Sequence, residues 1–337
     1  MTNPTSIDPA TMTRDRVEAA AATLGRRVRV TPVITVDGST FGVDATVTMK
    51  LEFLQHSGTF KARGALHFLL VNDISAAGVT AASGGNHGVA VAWAAAQLGL
   101  PVTIFVPTIS APAKVARLRA LGAEVVQVGR VYAEALEACR DHEATTGATA
   151  IHAYDAADVV AGAGTTGREF ETQVAAAGLP ALDAVLVACG GGGLAGGLAG
   201  WLGARTEIVA CETAGTAAWA AARAAGRPVD VEVTGVAADA LGATRLGRLA
   251  FATLQSVGAT SAVVDDGATV AARRFLWDDF RLAVEASAAV PVAALRTGAW
   301  RPEAGAHIGV IICGANTSPG DLERPPTESS TDQEGDR

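Results

Sequence analysis

Cysteine is scarce and scattered. Cys139, Cys189, Cys211 and Cys313 stand far apart in a chain of 337 residues, and no CxxC or CxxC…HxxxH spacing occurs. That argues against a metal or disulfide framework and fits reduced cytosolic thiols. The amino terminus has no apolar signal core, so a cytoplasmic protein is expected. Excess positive charge is also missing. Lys and Arg number 26 against 34 Asp and Glu, a net −8. From Pro319 onward six acids and two bases supply −4, which leaves about −4 for the body (−8 minus −4). No nucleic-acid footprint remains, and no nucleic-acid partner is expected. The closing stretch, PGDLERPPTESSTDQEGDR, has almost no apolar residues and is expected to form a disordered acidic tail over 321–337. One uncharged run, 184–204, has membrane-spanning length, but it holds eight glycines, four of them in a row. It reads as strand, loop and helix rather than as a span, so no membrane partner is expected. No fixed-period repeat occurs.

Hydrophobic residues make up 49%, enough for a folded body of two domains or one large α/β domain. TRDRVEAAAATLGRRV has a Thr before a charged first turn and reads as a capped helix. ATVTMKLEF alternates and reads as a strand. KARGALHFLLVND is helical in spacing, and GVTAASGGNHG is a short strand with a glycine loop. VAVAWAAAQLG is a helix, PVTIFVP a strand, APAKVARLRALG a helix, AEVVQVG a strand and YAEALEACRDHEATTG a helix. ATAIHAYD is a strand or an extended segment, and AGAGTTGREFETQVAAAG opens with glycines into a helix. Then DAVLVACGGGGLAGGLAGWLG is strand, glycine loop and helix; TEIVACE a strand; AGTAAWAAARAAG a helix; ATSAVVD and HIGVIICG strands. Such alternation implies an α/β fold with mostly parallel sheets.

Ligands in these folds sit at the carboxyl ends of strands. Three loops there carry unusual residues: SGTFK, SGGNHG and CGGGGLAGG. Lys61 in SGTFK fits a surface charge, a phosphate ligand or a nucleophile. Gly191 to Gly196 satisfies GxGxxG and Glu212 ends the next strand, so a dinucleotide reading stands open. Four glycines in a row exceed what close packing needs, and at a helix start they expose backbone N–H groups to a phosphate. No GxxxxGK followed by Ser or Thr occurs, which excludes the nucleoside-triphosphatase loop. Alone, His87 fits a structural residue and Asn86 a helix cap; together, set between glycines, they suit a tight polar pocket for an oxyanion or phenolate.

Taken together, KLEFLQHSGTFKARGA, ASGGNHGVAVAWAA, CGGGGLAGG and the late CGAN resemble the serine/threonine dehydratase group of fold-type II (tryptophan synthase β-like) pyridoxal 5′-phosphate enzymes. ETAGTAAW, ALGATRLGRLAF and VEASAAV add weaker matches, and the similarity runs over about residues 13–318. The resemblance implies that Lys61 carries the cofactor as a Schiff base, that Phe60 packs beside its ring and that Asn86 bonds its 3′ oxygen. It places Gly190, Gly191, Gly192, Gly193 and Leu194 around the phosphate and Cys313 at the pyridine nitrogen. It sets Thr59, Ser83, Gly84 and His87 where the family binds the substrate carboxylate. A neutral thiol at the ring nitrogen does not stabilise a pyridinium, which favours elimination over transamination.

The resemblance further implies a two-domain α/β enzyme, each domain a mostly parallel sheet flanked by helices. The smaller domain is expected over 53–148 and the larger over 1–52 and 149–320. The expected reaction is elimination of the β-hydroxyl from L-threonine or L-serine, giving a 2-oxo acid and ammonia. Serine racemisation and dehydration of another β-hydroxy amino acid are the alternatives, with a dinucleotide-dependent oxidoreductase further off. A homodimer is usual in the family. Two departures stand out. Glu212 matches the first acid of the group's cation site, but Ala218 stands where the racemases carry a second, so no metal site is assigned; a hydrogen-bonded or solvated strand-end acid is an equal reading. No regulatory domain is expected after the catalytic part. Racemases resembling this chain also carry a serine where Gly84 stands.

Overall fold

A computed structural model describes residues 11–321. The acidic tail expected over 321–337 therefore lies, from residue 322, outside the described residues.

The strands are β1 (Val33–Asp37), β2 (Ala45–Lys50), β3 (Val79–Ala82), β4 (Val102–Val106), β5 (Glu124–Gln127), β6 (Thr149–Ala150), β7 (Ala184–Ala188), β8 (Glu207–Thr213), β9 (Thr260–Val264) and β10 (Ala306–Ile311). The helices are α1 (Arg14–Leu24), α2 (Lys61–Val71), α3 (Asn86–Leu98), α4 (Pro112–Ala120), α5 (Tyr132–Thr146), α6 (Ala157–Ala176), α7 (Gly193–Leu202), α8 (Ala218–Ala225), α9 (Ala238–Leu241), α10 (Arg248–Ser256), α11 (Asp266–Phe280) and α12 (Ala286–Thr297).

Two sheets form. One has strand order β1-β2-β10-β7-β8-β9 and the other β5-β4-β3-β6. Every pairing is parallel except β1 with β2. The central strands β4 and β7 are buried along their whole length. Their uninterrupted apolar sequences, VTIFV and AVLVA, are what a parallel sheet covered on both faces requires. Each sheet has its own apolar cluster, one built around Val185–Val187 and the other around Ile104 and Val89–Ala92. Thr149–Ala150 pairs with β3, so the smaller sheet extends two residues past the boundary expected at 148.

Most expected elements form. Thr13 caps α1, its side chain accepting from the Arg16 amide at 3.4 Å. The uncharged run resolves into β7, a loop and α7, and among the described residues no helix is long and apolar enough to cross a membrane. One reading changes. The glycines of AGAGTTG do not open α6; they lie buried within it. A Cβ on Gly162 would stand 2.8 Å from the Arg63 carbonyl oxygen, and one on Gly164 would stand 2.7 Å from that of Gly197. Their role is to let α2 and α7 approach α6 closely. The edge strand β1 and the helices α9, α10, α11 and α12 carry no counterpart in the sequence reading.

A buried cluster of charge joins α2, α6 and β2. Arg63 grips Glu52 in a fork, Nε to Oε1 at 2.5 Å and Nη2 to Oε2 at 3.0 Å, and reaches Glu169 at 3.0 Å. Lys50 meets the other oxygen of Glu169 at 2.5 Å. Two cations and two anions balance, and the fork geometry offsets part of their desolvation. Arg63 lies two residues after Lys61, so the cluster fixes the helix on which that lysine stands.

Candidate active site

Two of the three glycine-containing loops leave strand ends directly. SGG follows β3 and leads into α3; the four-glycine block follows β7 and leads into α7. The SGTFK turn is sewn to the segment after β10. The Phe60 amide donates to the Cys313 carbonyl at 3.1 Å, that of Ala315 to the Gly58 carbonyl at 3.0 Å, and Thr59 bridges Gly314. Lys61 and Cys313, 252 positions apart in sequence (313 minus 61), are thereby held on adjacent strips of backbone.

The chain has three lysines. Lys50 and Lys114 each face an acid, Glu169 and Asp239 respectively. Lys61 faces a neutral carbonyl: its Nζ donates to the Ala153 oxygen at 2.9 Å and lies 5.2 Å from the centroid of the Phe60 ring. Burial lowers its pKa to about 8, against the opposing pull of Cys313 and Glu285. A substantial neutral fraction at ordinary pH is what a nucleophilic amine needs.

Residue 153 also ties the lysine to the glycine block, because its neighbour Tyr154 lies over the loop. A Cβ on Gly191 would fall 2.3 Å from Tyr154 Cγ, and one on Gly193 3.1 Å from Tyr154 Cβ. Gly192 has φ +85°, a left-handed conformation that favours glycine. Beyond it the first backbone N–H groups of α7 have no partner within their own helix. The loop is a cradle that side chains would fill, at a helix start suited to a phosphate.

Asn86, the first residue of α3, donates through Nδ2 to Glu285 Oε1 at 2.8 Å. Glu285 also accepts from Ser287 Oγ at 2.6 Å and from the Asn316 amide at 3.1 Å. Burial raises its pKa against those three donors. Cys313 is buried, and burial together with the Glu285 charge pushes its thiol up, so the sulfur stays protonated. The Ser83 hydroxyl accepts from the Gly85 amide at 3.3 Å. His87 is buried. Its Nε2 meets the Ile151 carbonyl at 2.9 Å as donor, and burial and the nearby Lys61 charge take its pKa down to about 3. Its imidazole is a neutral strut between α3 and residue 151.

Glu212 matches the reading of a hydrogen-bonded acid at a strand end, next to the last residue of β8. Both its oxygens receive backbone N–H groups at the start of α8, Trp219 at 2.6 Å and Ala220 at 2.9 Å. Burial raises its pKa to about 7 despite those bonds. It anchors a helix terminus. The sequence reading assigned no role to Tyr154, Ala153, Glu285 or Asn316. Glu285 and Asn316 lie in VEASAAV and CGAN, stretches that carried the resemblance, but nothing in those strings says which residue faces Asn86.

The site thus assembles a buried amine of lowered pKa, a glycine cradle at a helix start, an oriented amide and a protonated thiol. These residues fit pyridoxal phosphate: the amine its aldehyde, the cradle its phosphate, the amide its phenolic oxygen and the thiol its ring nitrogen. The sequence comparisons agree. The chain is 36% identical over 301 residues to phenylserine dehydratase from Ralstonia pickettii, covering 88% of this chain and 90% of that protein. It is 34% identical to L-threonine ammonia-lyase from Geobacter sulfurreducens, covering 83% and 69%. Among solved structures, maize serine racemase superposes with a TM-score of 0.85 at 29% identity, over 93% of this chain and 96% of that one. The family model for pyridoxal-phosphate dependent enzymes matches residues 25–314, which closes the dinucleotide reading of the glycine loop, and the chain belongs to that family in its fold-type II form.

Proposed function

We propose that the protein is a lyase that eliminates the β-hydroxyl of L-threonine or L-serine and releases a 2-oxo acid and ammonia. The observation that carries this reading is Lys61, whose buried amine, with its pKa near 8, bonds the Ala153 carbonyl next to Tyr154 of the cradle and feels Cys313. Bound pyridoxal phosphate supplies an electron sink for charge developed at the substrate's α-carbon. Lys61 Nζ would hold the cofactor and, as a neutral base, take the α-proton. Gly190 to Gly193 and Leu194 would hold the phosphate by backbone N–H groups, with Tyr154 as the wall above them. Phe60 would pack beside the ring, and the Asn86 amide would donate to the 3′ oxygen. The Cys313 thiol, kept neutral, offers the ring nitrogen no anion; that limits charge delocalisation and suits prompt loss of a β-leaving group. Thr59, Ser83, Gly84 and the backbone of His87 would receive the substrate carboxylate.

The smaller sheet and its helices would form the smaller domain, the larger sheet and its flanks the other, with the cofactor between them. A cytoplasmic homodimer completes the proposal; the four buried free thiols support a reducing compartment. A second reading, dehydration of a β-hydroxy amino acid with a larger β-substituent, is favoured by the similarity to phenylserine dehydratase. The test is a visible absorption spectrum of the purified protein, followed by ammonia release from L-threonine, L-serine, L-threo-phenylserine and their D-isomers. Turnover of threonine or serine supports the first reading, and turnover of phenylserine alone the second. No ammonia from any of them removes both.

A further inference from the structure

Arg117, on α4, reaches out of the smaller sheet's layer to two groups of the active-site wall. Its Nη2 donates to the Ser57 carbonyl at 2.8 Å, and its Nη1 donates to Asn316 Oδ1. Asn316 Nδ2 in turn donates to Asn86 Oδ1, and Asn86 Nδ2 donates to Glu285 Oε1 at 2.8 Å. A guanidinium only donates, and an ionised carboxylate only accepts. An amide has one end of each kind, and nothing in its shape decides which way round it lies. Arg117 at one end of this row and Glu285 at the other therefore impose a single polarity on both amides. With Arg117 in place, Asn316 must show it the oxygen. Asn316 then shows Asn86 its nitrogen, and Asn86 must turn its own nitrogen toward Glu285 and the site.

We propose that Arg117 is a positioning residue for the cofactor site: the donor-only head of an amide relay that keeps the Asn86 Nδ2 group aimed at the cofactor's 3′ oxygen. Nδ2 carries two hydrogens. Glu285 takes one, and the other serves the ligand. Reversal of the relay would present an amide oxygen to that oxygen instead. Arg117 also steadies the turn itself, since Ser57 holds a left-handed φ of 63° that a non-glycine residue adopts only under constraint. The inference rests on the placement of Asn86 at the cofactor given above.

The test compares full-length holoenzymes carrying Arg117→Met, Arg117→Lys, Asn316→Asp and Asn86→Ala. Each apoprotein is titrated with pyridoxal phosphate by visible absorbance, and its melting temperature and kcat and KM are recorded. Arg117→Met should weaken cofactor binding about fivefold, the weight of one hydrogen bond, and should shift the visible band. Arg117→Lys should recover most of both. Asn316→Asp is decisive even where Arg117→Met does not fold. It gives Arg117 an ion pair, so a purely structural role would hold or raise the melting temperature and leave the cofactor band alone. A relay role turns an acceptor toward Asn86 Oδ1 and must shift the band and weaken binding. Unchanged cofactor affinity and spectrum in Asn316→Asp, with Asn86→Ala impaired, overturns the inference and leaves the site intact. Unchanged spectrum and affinity in Asn86→Ala overturns the placement of Asn86 itself.

Discussion

Gly191 and Gly192 are neighbours in one loop, yet alanine at each should fail in a different way. At Gly192 the backbone has φ +85°, and a Cβ would lie 2.6 Å from Ala250 Cβ and 2.8 Å from Leu246 Cδ1. The left-handed conformation costs an L-residue about 1–2 kcal/mol, and overpacking the buried Leu246 and Ala250 adds about 1–3 kcal/mol. Gly192→Ala should therefore lose about 2–5 kcal/mol of fold stability, by the sum of those two terms. At Gly191 the backbone lies outside the left-handed region, and the obstacle is one side chain: Tyr154 ring atoms at 2.3, 2.4 and 2.5 Å. Tyr154 is only partly buried, so its ring can turn aside for about 1 kcal/mol, the cost of an off-rotamer angle. The methyl group and the displaced ring then stand where the cradle must close on a phosphate. Loss of one hydrogen bond to a charged group, about 1.5–3 kcal/mol, weakens binding about ten- to a hundredfold. The assay is urea unfolding of each apoprotein, with titration of pyridoxal phosphate into the folded variants. Gly191→Ala should keep most of its stability and lose cofactor affinity; Gly192→Ala should lose both. A folded Gly191→Ala protein with unaltered affinity would refute the cradle and reduce the loop to packing.

Four further outcomes follow from the same geometry. Borohydride should fix the cofactor to Lys61, readily mapped among three lysines, and Lys61→Ala should abolish turnover; label on Lys50 or Lys114 would displace the assignment. The amine's pKa is lowered to about 8, so the rate of cofactor attachment to apoprotein should rise with pH through about 8 and level off. Over the window from about 8 to the unfolded value of about 10.4 the unfolded chain binds more protons than the native one, so this group makes stability rise with pH there and contributes no slope below it. An attachment rate independent of pH would argue against a titrating amine at Lys61. Cys313→Ser keeps a neutral partner at the ring nitrogen and should retain activity within about tenfold, whereas Cys313→Asp should divert product toward transamination; identical product ratios would remove Cys313 from the cofactor. A Cβ on Gly84 would have Val106 Cγ1 at 3.4 Å and Ser110 Oγ at 3.9 Å as its nearest neighbours, so serine fits there. Gly84→Ser should raise D-serine formation from L-serine, measured by chiral chromatography, while rapid D-serine production by the unaltered protein would falsify the elimination reading.

Much of this site was legible in the sequence because its chemistry sits in unbroken strings at strand-to-helix junctions. SGTFK, SGGNHG and CGGGG each place their residues by local geometry: a turn, a helix start, a close backbone approach. The alternation of apolar strands and helices likewise implied parallel sheets, since a strand covered on both faces must be apolar throughout, as β4 and β7 are. What local pattern could not supply was partnership across the fold. Lys61 finds its carbonyl 92 residues away, Asn86 its carboxylate 199 away and its amide partner 230 away. Glu285 and Arg117 look in sequence like ordinary surface charges, and His87 fits a structural residue and a pocket residue alike. Burial and neighbours decide between the readings: the imidazole is a neutral strut, and Glu212, at its strand end, anchors a helix terminus. The glycines of α6 carried the opposite ambiguity, because close helix contact and a loop both call for the same residue. Residue type and order determined the reactive groups and their cofactor; which donor faces which acceptor was decided only when the sheets and helices packed, because hydrogen bonds form between positions in space.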